Sequence, residues 1–298
     1  MLSCLLYSAA WCVGRLPLRL QQQAGAALGR LAHWRNTRET KVARRNFELI
    51  APELDGDARE RKVRAVLEQT GRNALETLRI WTRPRTDNLR LVRTVHGDAH
   101  LEAALAAGRG VILAAPHYGN WELLVEFMAA RGRFTLVYRV PESAAGDAFL
   151  RLARGGANIE LVPAEASAMR PLWKALRDGG VVGITPDQQP KLGGGEYAPF
   201  FGRQALTLSL IPRLAERSGA TVLFGYAERG DDGRFDVHFE PAPAAIASPD
   251  LAQAAAAMNA AVEAIARRDL RQYQWTYKRY TLRPPGSGEA NPYYPDCR

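Results

Sequence analysis

The chain has 298 residues, 47% hydrophobic and 24% charged, a globular composition that excludes a disordered polypeptide and can bury one large core or two modest ones. Its 40 Lys and Arg against 31 Asp and Glu leave a net charge of +9, which points to an anionic partner without choosing among nucleic acid, anionic lipid headgroups and an acidic carrier protein. Cys4, Cys12 and Cys297 stand at the two ends with no paired spacing, which argues against a disulfide framework or a cysteine-rich metal site and fits a reducing, cytosol-facing location.

The amino terminus, Met1 to Val13, is almost continuously apolar and is followed by Arg15 and Arg19, yet it falls short of the roughly 20 residues that cross a bilayer. No basic residue precedes it and no Ala-x-Ala site follows, so a cleaved signal peptide is not expected. As a helix it would place Leu5, Leu6, Trp11, Leu16, Leu18 and Leu20 among acyl chains, with Arg15 and Arg19 at phosphates. Residues 1–30 are therefore expected to form an interfacial membrane anchor, the alternative being an ordinary core helix.

Residues 31–90 read as a basic helical region. Val42, Phe47, Val63, Val66, Leu67, Leu75, Leu78 and Ile80 recur near helical spacing, and Pro52 with Asp55-Gly56-Asp57 splits the segment into at least two helices. Arg38, Lys41, Arg44, Arg45, Arg59, Arg61, Lys62 and Arg64 form either a solvated face or a membrane-facing belt.

From 91 to 282 short apolar runs alternate with helical segments, the pattern of an α/β layer fold. Strands are expected at Leu91 to Val95, Val111 to Ala115, Phe134 to Tyr138, Ile159 to Val162, Val181 to Thr185, Thr221 to Tyr226 and Phe235 to Phe239. Helices are expected at Ala99 to Ala107, Trp121 to Arg131, Ala145 to Arg154, Met169 to Asp178, Leu206 to Ser218 and Leu251 to Leu270. The Pro- and Gly-rich tail, 283–298, is expected to be loosely ordered. There is no internal repeat, Walker loop or Gly-x-Gly-x-x-Gly after a strand, so nucleotide binding has no specific support.

The run Val111-Ile-Leu-Ala-Ala-Pro-His117-Tyr-Gly-Asn-Trp-Glu122 carries the chemistry. A strand shielded on both faces ends at Pro116, and Asn120 caps the following helix. Five positions on one continuous helix would separate His117 and Glu122 by about 140°, so the turn is what lets imidazole and carboxylate meet. A carboxylate on one ring nitrogen fixes the tautomer and leaves the other free to take a hydroxyl proton, as a general base for attack on an ester or thioester. The spacing alone also fits a surface histidine beside a helix-dipole carboxylate.

His-Tyr-Gly-Asn-Trp-Glu after an apolar strand strongly resembles the His-x-Gly-Asn-Trp-Glu block of the bacterial late lipid A acyltransferases, the lauroyl/myristoyl group within the lysophospholipid acyltransferase superfamily. The resemblance extends from the amino-terminal apolar segment to Tyr280. Further matches are Val137-Tyr138-Arg139, Thr185-Pro186-Asp187-Gln188, Pro199-Phe200-Phe201-Gly202 with Thr207, and Gln272-Tyr-Gln-Trp275-Thr-Tyr-Lys278-Arg279-Tyr280. Two departures concern the acceptor: Pro141-Glu142-Ser143 stands where the family often has Asn-Pro, and Tyr-Lys-Arg-Tyr where an aromatic-His and Arg-Phe are usual.

The resemblance implies a glycerol-3-phosphate acyltransferase-like α/β fold with a mostly parallel sheet. It implies an O-acyltransferase at the cytoplasmic face of the inner membrane that moves a fatty acyl chain from an acyl carrier protein to a hydroxyl of a lipid A precursor. Carried over, His117 is the base and Glu122 its partner. Arg139, Asp187 and Gln188 are expected at the rim where open α/β sheets bind ligands, with Arg170 near the same mouth and Asn120 beside substrate. Arg139 is suited to a phosphate or oxyanion or to a structural ion pair. Phe200, Phe201 and Gly202 suit an apolar wall, a turn or plain core. Trp275, Tyr277 and Tyr280 beside Lys278 and Arg279 suit a headgroup interface or stacking on single-stranded nucleic acid. His33, His96, His100 and His238 are expected to be structural or exposed.

No metal or cofactor is expected, since a thioester is already activated and a tuned histidine supplies about 10² to 10⁴ in rate. Another acceptor, such as a phosphatidylinositol mannoside or an amino-acid lipid, a metal-dependent hydrolase and a basic nucleic-acid-binding protein remain as alternatives. The catalytic block favours no nucleic acid, because a nucleic-acid module does not need His-x4-Glu at a strand end.

Overall fold

A computed structural model describes residues 2–156, 158–165 and 168–297, with side chains from residue 5 onward. Met1 and Arg298, the outermost residues of the expected anchor and tail, lie outside them. In chain order come α1 (Leu2–Gly14), α2 (Leu18–Trp34), α3 (Arg38–Ile50), α4 (Gly56–Thr82), α5 (Arg85–Leu89), β1 (Val92–His96), α6 (Asp98–Ala106), β2 (Val111–Ala114), α7 (Trp121–Arg131), β3 (Phe134–Tyr138), α8 (Ala144–Arg154) and β4 (Ile159–Pro163). They are followed by α9 (Met169–Arg177), β5 (Val181–Ile184), β6 (Gly195–Phe200), β7 (Arg203–Leu208), α10 (Leu210–Ser218), β8 (Thr221–Arg229), β9 (Phe235–Pro241) and α11 (Leu251–Arg268). The chain forms two compact units, one of Met1–Gln21, Ala74–Thr185 and Leu214–Ala242, the other of Gln22–Asn73, Pro186–Arg213 and Pro243–Arg298.

The first unit is the expected α/β layer. Its seven-stranded sheet has the order β1-β9-β8-β2-β5-β3-β4, with every neighbouring pair parallel except β8 with β9. Each residue of β2 and β5 is buried, as uninterrupted Val, Ile and Leu runs demand when helices cover both faces. Val111 lies opposite Val181 on one side and Thr221 on the other, so β2 is central and its carboxyl end opens at mid-sheet. Helix α1 packs against α8, and Arg83 donates to the carbonyls of Gly14 at 3.0 Å and Arg15 at 3.1 Å. Leu5, Leu6 and Trp11 nevertheless stay exposed. No described helix is long and apolar enough to cross a membrane.

The second unit contains an element that the sequence pattern hides. The helix expected from Leu206 begins at Leu210, because Arg203–Leu208 is a strand paired antiparallel with Gly195–Phe200. Phe201 and Gly202, at φ 48° and 72°, make the two-residue turn whose left-handed conformations match hairpin twist. Phe201 is held in that unusual conformation for a bulky residue by its amide, which donates to Glu263 Oε2 at 2.6 Å, and by its ring, 5.1 Å from that of Trp275.

In the aromatic block near the carboxyl end Trp275, Arg279 and Tyr280 are interior while Tyr277 and Lys278 are half-buried, so three of the five residues are withdrawn from any interface. Trp275 and Tyr280 are each 1% exposed and Arg279 3%; Arg279 donates to Leu206 O at 2.6 Å and to Thr207 Oγ1 at 2.9 Å. These side chains serve packing because the hairpin and α11 close over them. The tail is also anchored rather than loose: Tyr293 is 1% exposed, its hydroxyl donates to Asn46 Oδ1 at 2.5 Å and accepts from the Tyr280 amide at 3.3 Å. Tyr293→Phe should therefore lower the free energy of unfolding by about 1–3 kcal/mol, the cost of stranding a buried partner. Urea unfolding reads this directly, and an unchanged midpoint would show that the tail adds no stability.

Candidate active site

The central strand β2 delivers the histidine. After Ala114 the chain leaves the sheet through Ala115 and Pro116, and His117 follows, partly exposed at the carboxyl edge. The turn to α7 is tied down along β8. The Asn120 amide donates to Ala227 O at 2.9 Å, and the fully buried Tyr118 donates its hydroxyl to Glu228 Oε1 at 2.5 Å. Gly119 lies between them at φ 60°, where a Cβ would come within 1.9 Å of Ala227 O; only glycine allows so close an approach in this conformation.

Asn120 is the helix cap expected from the sequence, accepting from the Leu123 amide at 3.4 Å. Its Nδ2 donates to Glu76 Oε2 at 3.3 Å, and Glu76 is gripped by Arg229 through Nε at 2.8 Å and through Nη2. Glu76 is wholly buried and Asn120 is 1% exposed. Asn120, expected beside substrate, thus has both ends of its amide engaged inside the protein at the start of the turn.

Glu122 sits in the first turn of α7 and is 3% exposed. Arg154, in the last turn of α8, meets it with Nη2 at 2.5 Å and with Nε at 3.2 Å from each carboxylate oxygen. The guanidinium also lies 4.7 Å from the Trp121 ring and 5.7 Å from that of Trp81, while Trp121 contacts the His117 ring at 5.8 Å. Aromatic faces and a bidentate carboxylate together hold a half-buried guanidinium in one orientation. One helical turn further, Glu126 has its own partner in Arg85, at 3.3 Å, and burial pushes its carboxyl above the usual range despite that cation.

Arg139 follows β3 and Arg170 opens α9 beyond β4, so both stand at the same carboxyl edge of the sheet as His117. Both are exposed, and among the described residues neither has an ion-pair partner, which leaves Arg139 available to a ligand rather than spent in a structural pair. Asp187 and Gln188 lie just past β5, where the chain enters the second unit. There Asp187, 4% exposed, accepts from the Tyr273 hydroxyl; burial first and this carboxylate next push that hydroxyl well above its ordinary range. Gln188 Nε2 donates to Gln274 Oε1 at 3.3 Å.

Sequence reasoning missed Arg154, Glu76, Arg229 and Tyr118. The basic end of an amphipathic helix and an acid within an apolar helical stretch were the only local signals, and neither names its partner.

Two outcomes follow from this geometry. Gly119→Ala should cost at least about 1–3 kcal/mol of stability, the scale of a strained backbone, and should lower activity at temperatures where the variant remains folded, read by urea unfolding and turnover in parallel. Arg154→Ala should leave a buried carboxylate unpaired, costing about 3–5 kcal/mol, with Arg154→Lys recovering part of it; equal stability of the wild type and the Ala variant would show that the pair carries no load.

The protein-family model for the bacterial lipid A biosynthesis acyltransferases matches residues 2–281. The chain is 28% identical over 278 residues to the lipid A biosynthesis lauroyltransferase of Escherichia coli K12, covering 93% of this chain and 90% of that protein. It is 26% identical, over the same shares, to the lipid A biosynthesis palmitoleoyltransferase of that organism. A phosphatidylinositol mannoside acyltransferase of Mycobacterium tuberculosis CDC 1551 is 33% identical over 165 residues, 53% of this chain and 52% of that protein.

Proposed function

The chain belongs to the bacterial lipid A biosynthesis acyltransferase family, and from that premise we propose that it is a membrane-associated O-acyltransferase using a His117–Glu122 dyad. The donor is an acyl-carrier-protein thioester and the acceptor a hydroxyl of a lipid A precursor. One observation supports this above the others: in the His-x4-Glu block the carboxylate is buried and fixed by a guanidinium, while the histidine at the strand end is still partly exposed. A surface histidine next to a solvated helix-dipole acid would not need that support.

In the proposed reaction His117 takes the hydroxyl proton as the acceptor oxygen attacks the thioester carbonyl, and Glu122 orients the imidazole and stabilises its cation. Backbone N–H groups or Arg139 hold the oxyanion of the tetrahedral intermediate. Collapse breaks the carbon–sulfur bond, and the leaving thiolate takes the proton back from His117. Arg170, Asp187 and Gln188 contribute to substrate binding. An acidic carrier protein agrees with the +9 charge. The exposed Leu5, Leu6 and Trp11 of α1 are suited to the cytoplasmic face of the inner membrane. The match to a phosphatidylinositol mannoside acyltransferase over about half the chain supports a second reading with the same chemistry on another acceptor lipid.

His117→Ala should reduce acyl transfer by at least about 10²-fold, the lower end of general-base contributions, with the fold intact and chelators without effect. Lipid mass spectrometry of cells with and without the protein should show one acyl mass missing from lipid A; a mass missing from a different lipid selects the second reading, and near-normal turnover of the Ala variant removes the mechanism.

A further inference from the structure

Helix α2 turns its apolar side outward. Leu20, Leu28, Leu31 and Trp34 are 47%, 52%, 44% and 77% exposed, and at 3.6 residues per turn they fall, with Ala24 and Ala27, within an arc about 120° wide. The other side carries Gly25 and Gly29 and crosses the backbone of α4 closely. A Cβ at Gly25 would come within 2.5 Å of Gly71 O, and one at Gly29 within 2.2 Å of Leu67 O. Small residues thus face the protein and large apolar ones face outward, the reverse of a helix whose outer side meets water. The glycine crossing also fixes which side that is, since rotation of α2 would drive side chains into the α4 backbone.

The helix itself supplies only positive charge, although Glu68 and Glu60 of α4 lie beside Arg30 and His33. Helix α2 contains no Asp or Glu. Arg30 and Arg35 edge the stripe; Arg35 lies 6.0 Å from the Trp34 ring, and Arg30, 3.7 Å from Glu68, stays 44% exposed. Leucines flanked by tryptophan and arginine match the boundary between acyl chains and anionic headgroups. A second copy of the chain is the weaker occupant. A helix of 17 residues is about 25 Å long, so a stripe about 10 Å wide offers roughly 250 Å² per copy against about 800 Å² per partner in stable complexes.

We propose that the outer face of α2 is a docking surface for an anionic lipid bilayer, lying in the interface plane. The proposal rests on the reading above of a membrane-associated enzyme, and it adds a rigid contact separate from the apolar segment of α1.

The test sediments full-length protein with vesicles of phosphatidylglycerol and phosphatidylethanolamine. Leu28→Gln/Leu31→Gln/Trp34→Gln is compared with Leu5→Gln/Leu6→Gln/Trp11→Gln and the wild type. At roughly tenfold per apolar side chain withdrawn from lipid, the α2 variant should partition at least about 100-fold more weakly while its circular dichroism and its acyl transfer to a detergent-solubilised acceptor stay unchanged. Trp34→Gln alone should lose about tenfold on the same basis, which keeps the test open should the triple variant fail to fold. Brominated lipid should quench tryptophan fluorescence less in Trp34→Phe than in the wild type. An α2 variant that partitions like the wild type overturns the proposal, and so does a wild-type dimer that the variant converts to monomer. If no form transfers acyl groups but the vesicle difference persists, the enzymatic reading fails and the docking face stands.

Discussion

A buried ion pair decides where the histidine turn can sit. Glu76 on α4 has no exposed surface, and Arg229 at the end of β8 holds it with two N–H groups. Neither charge is tolerable there alone, since an unpaired ion in a protein interior costs several kcal/mol. Asn120 leans on the same carboxylate and caps α7, so α4, β8 and the start of α7 meet at one joint. The chain from β2 must arrive at that joint through His117, Tyr118 and Gly119, which leaves the imidazole little freedom of place. A second joint, Glu122 with Arg154, ties the next residues of α7 to α8. The site therefore stands between two salt bridges, one beneath the turn and one beside it.

Much of the fold could be read from local pattern because the first unit obeys simple rules. Phe134–Tyr138 and Trp121–Arg131 begin and end where alternation and capping place them, and the buried runs of β2 and β5 behave as strands covered on both faces. The β6–β7 hairpin escaped for a physical reason. Pro199 interrupts one strand, Leu206 and Leu208 merge with the apolar spacing of the following helix, and the turn uses Phe201 where glycine or asparagine is the usual signal. Composition misleads in the same way at Trp275 and Tyr280: aromatic residues beside Lys and Arg resemble a wet interface, but long-range closure by the hairpin and α11 buries them.

The candidate site divides along the same line. His117, Glu122 and the Asn120 cap belong to one continuous segment, so turn chemistry was enough to place the cap, while the His-x4-Glu spacing became a candidate site only through the longer block that resembles the family. Arg154 comes from 32 positions away, and Arg229 from 153 positions beyond Glu76; only the sheet order brings such residues together. Arg139 was legible as a strand-end cation because a parallel sheet collects loop residues at one edge, and Arg170 only as a helix-start residue near the same mouth. Their exposure was not, since it depends on which acids the tertiary structure leaves nearby.

Helix α8 carries Arg154 but has no buried residue of its own. Among its contacts are the ion pair with Glu122, the Trp81 ring 5.5 Å from Phe149, the Tyr138 hydroxyl, which donates to Asp147 at 2.9 Å, and its neighbour α1. Such an element opens at far lower free energy than the sheet does. Its fraying would take Arg154 away from Glu122 while every strand stayed paired, so the carboxylate of the candidate site depends for its counter-charge on a helix without a buried residue.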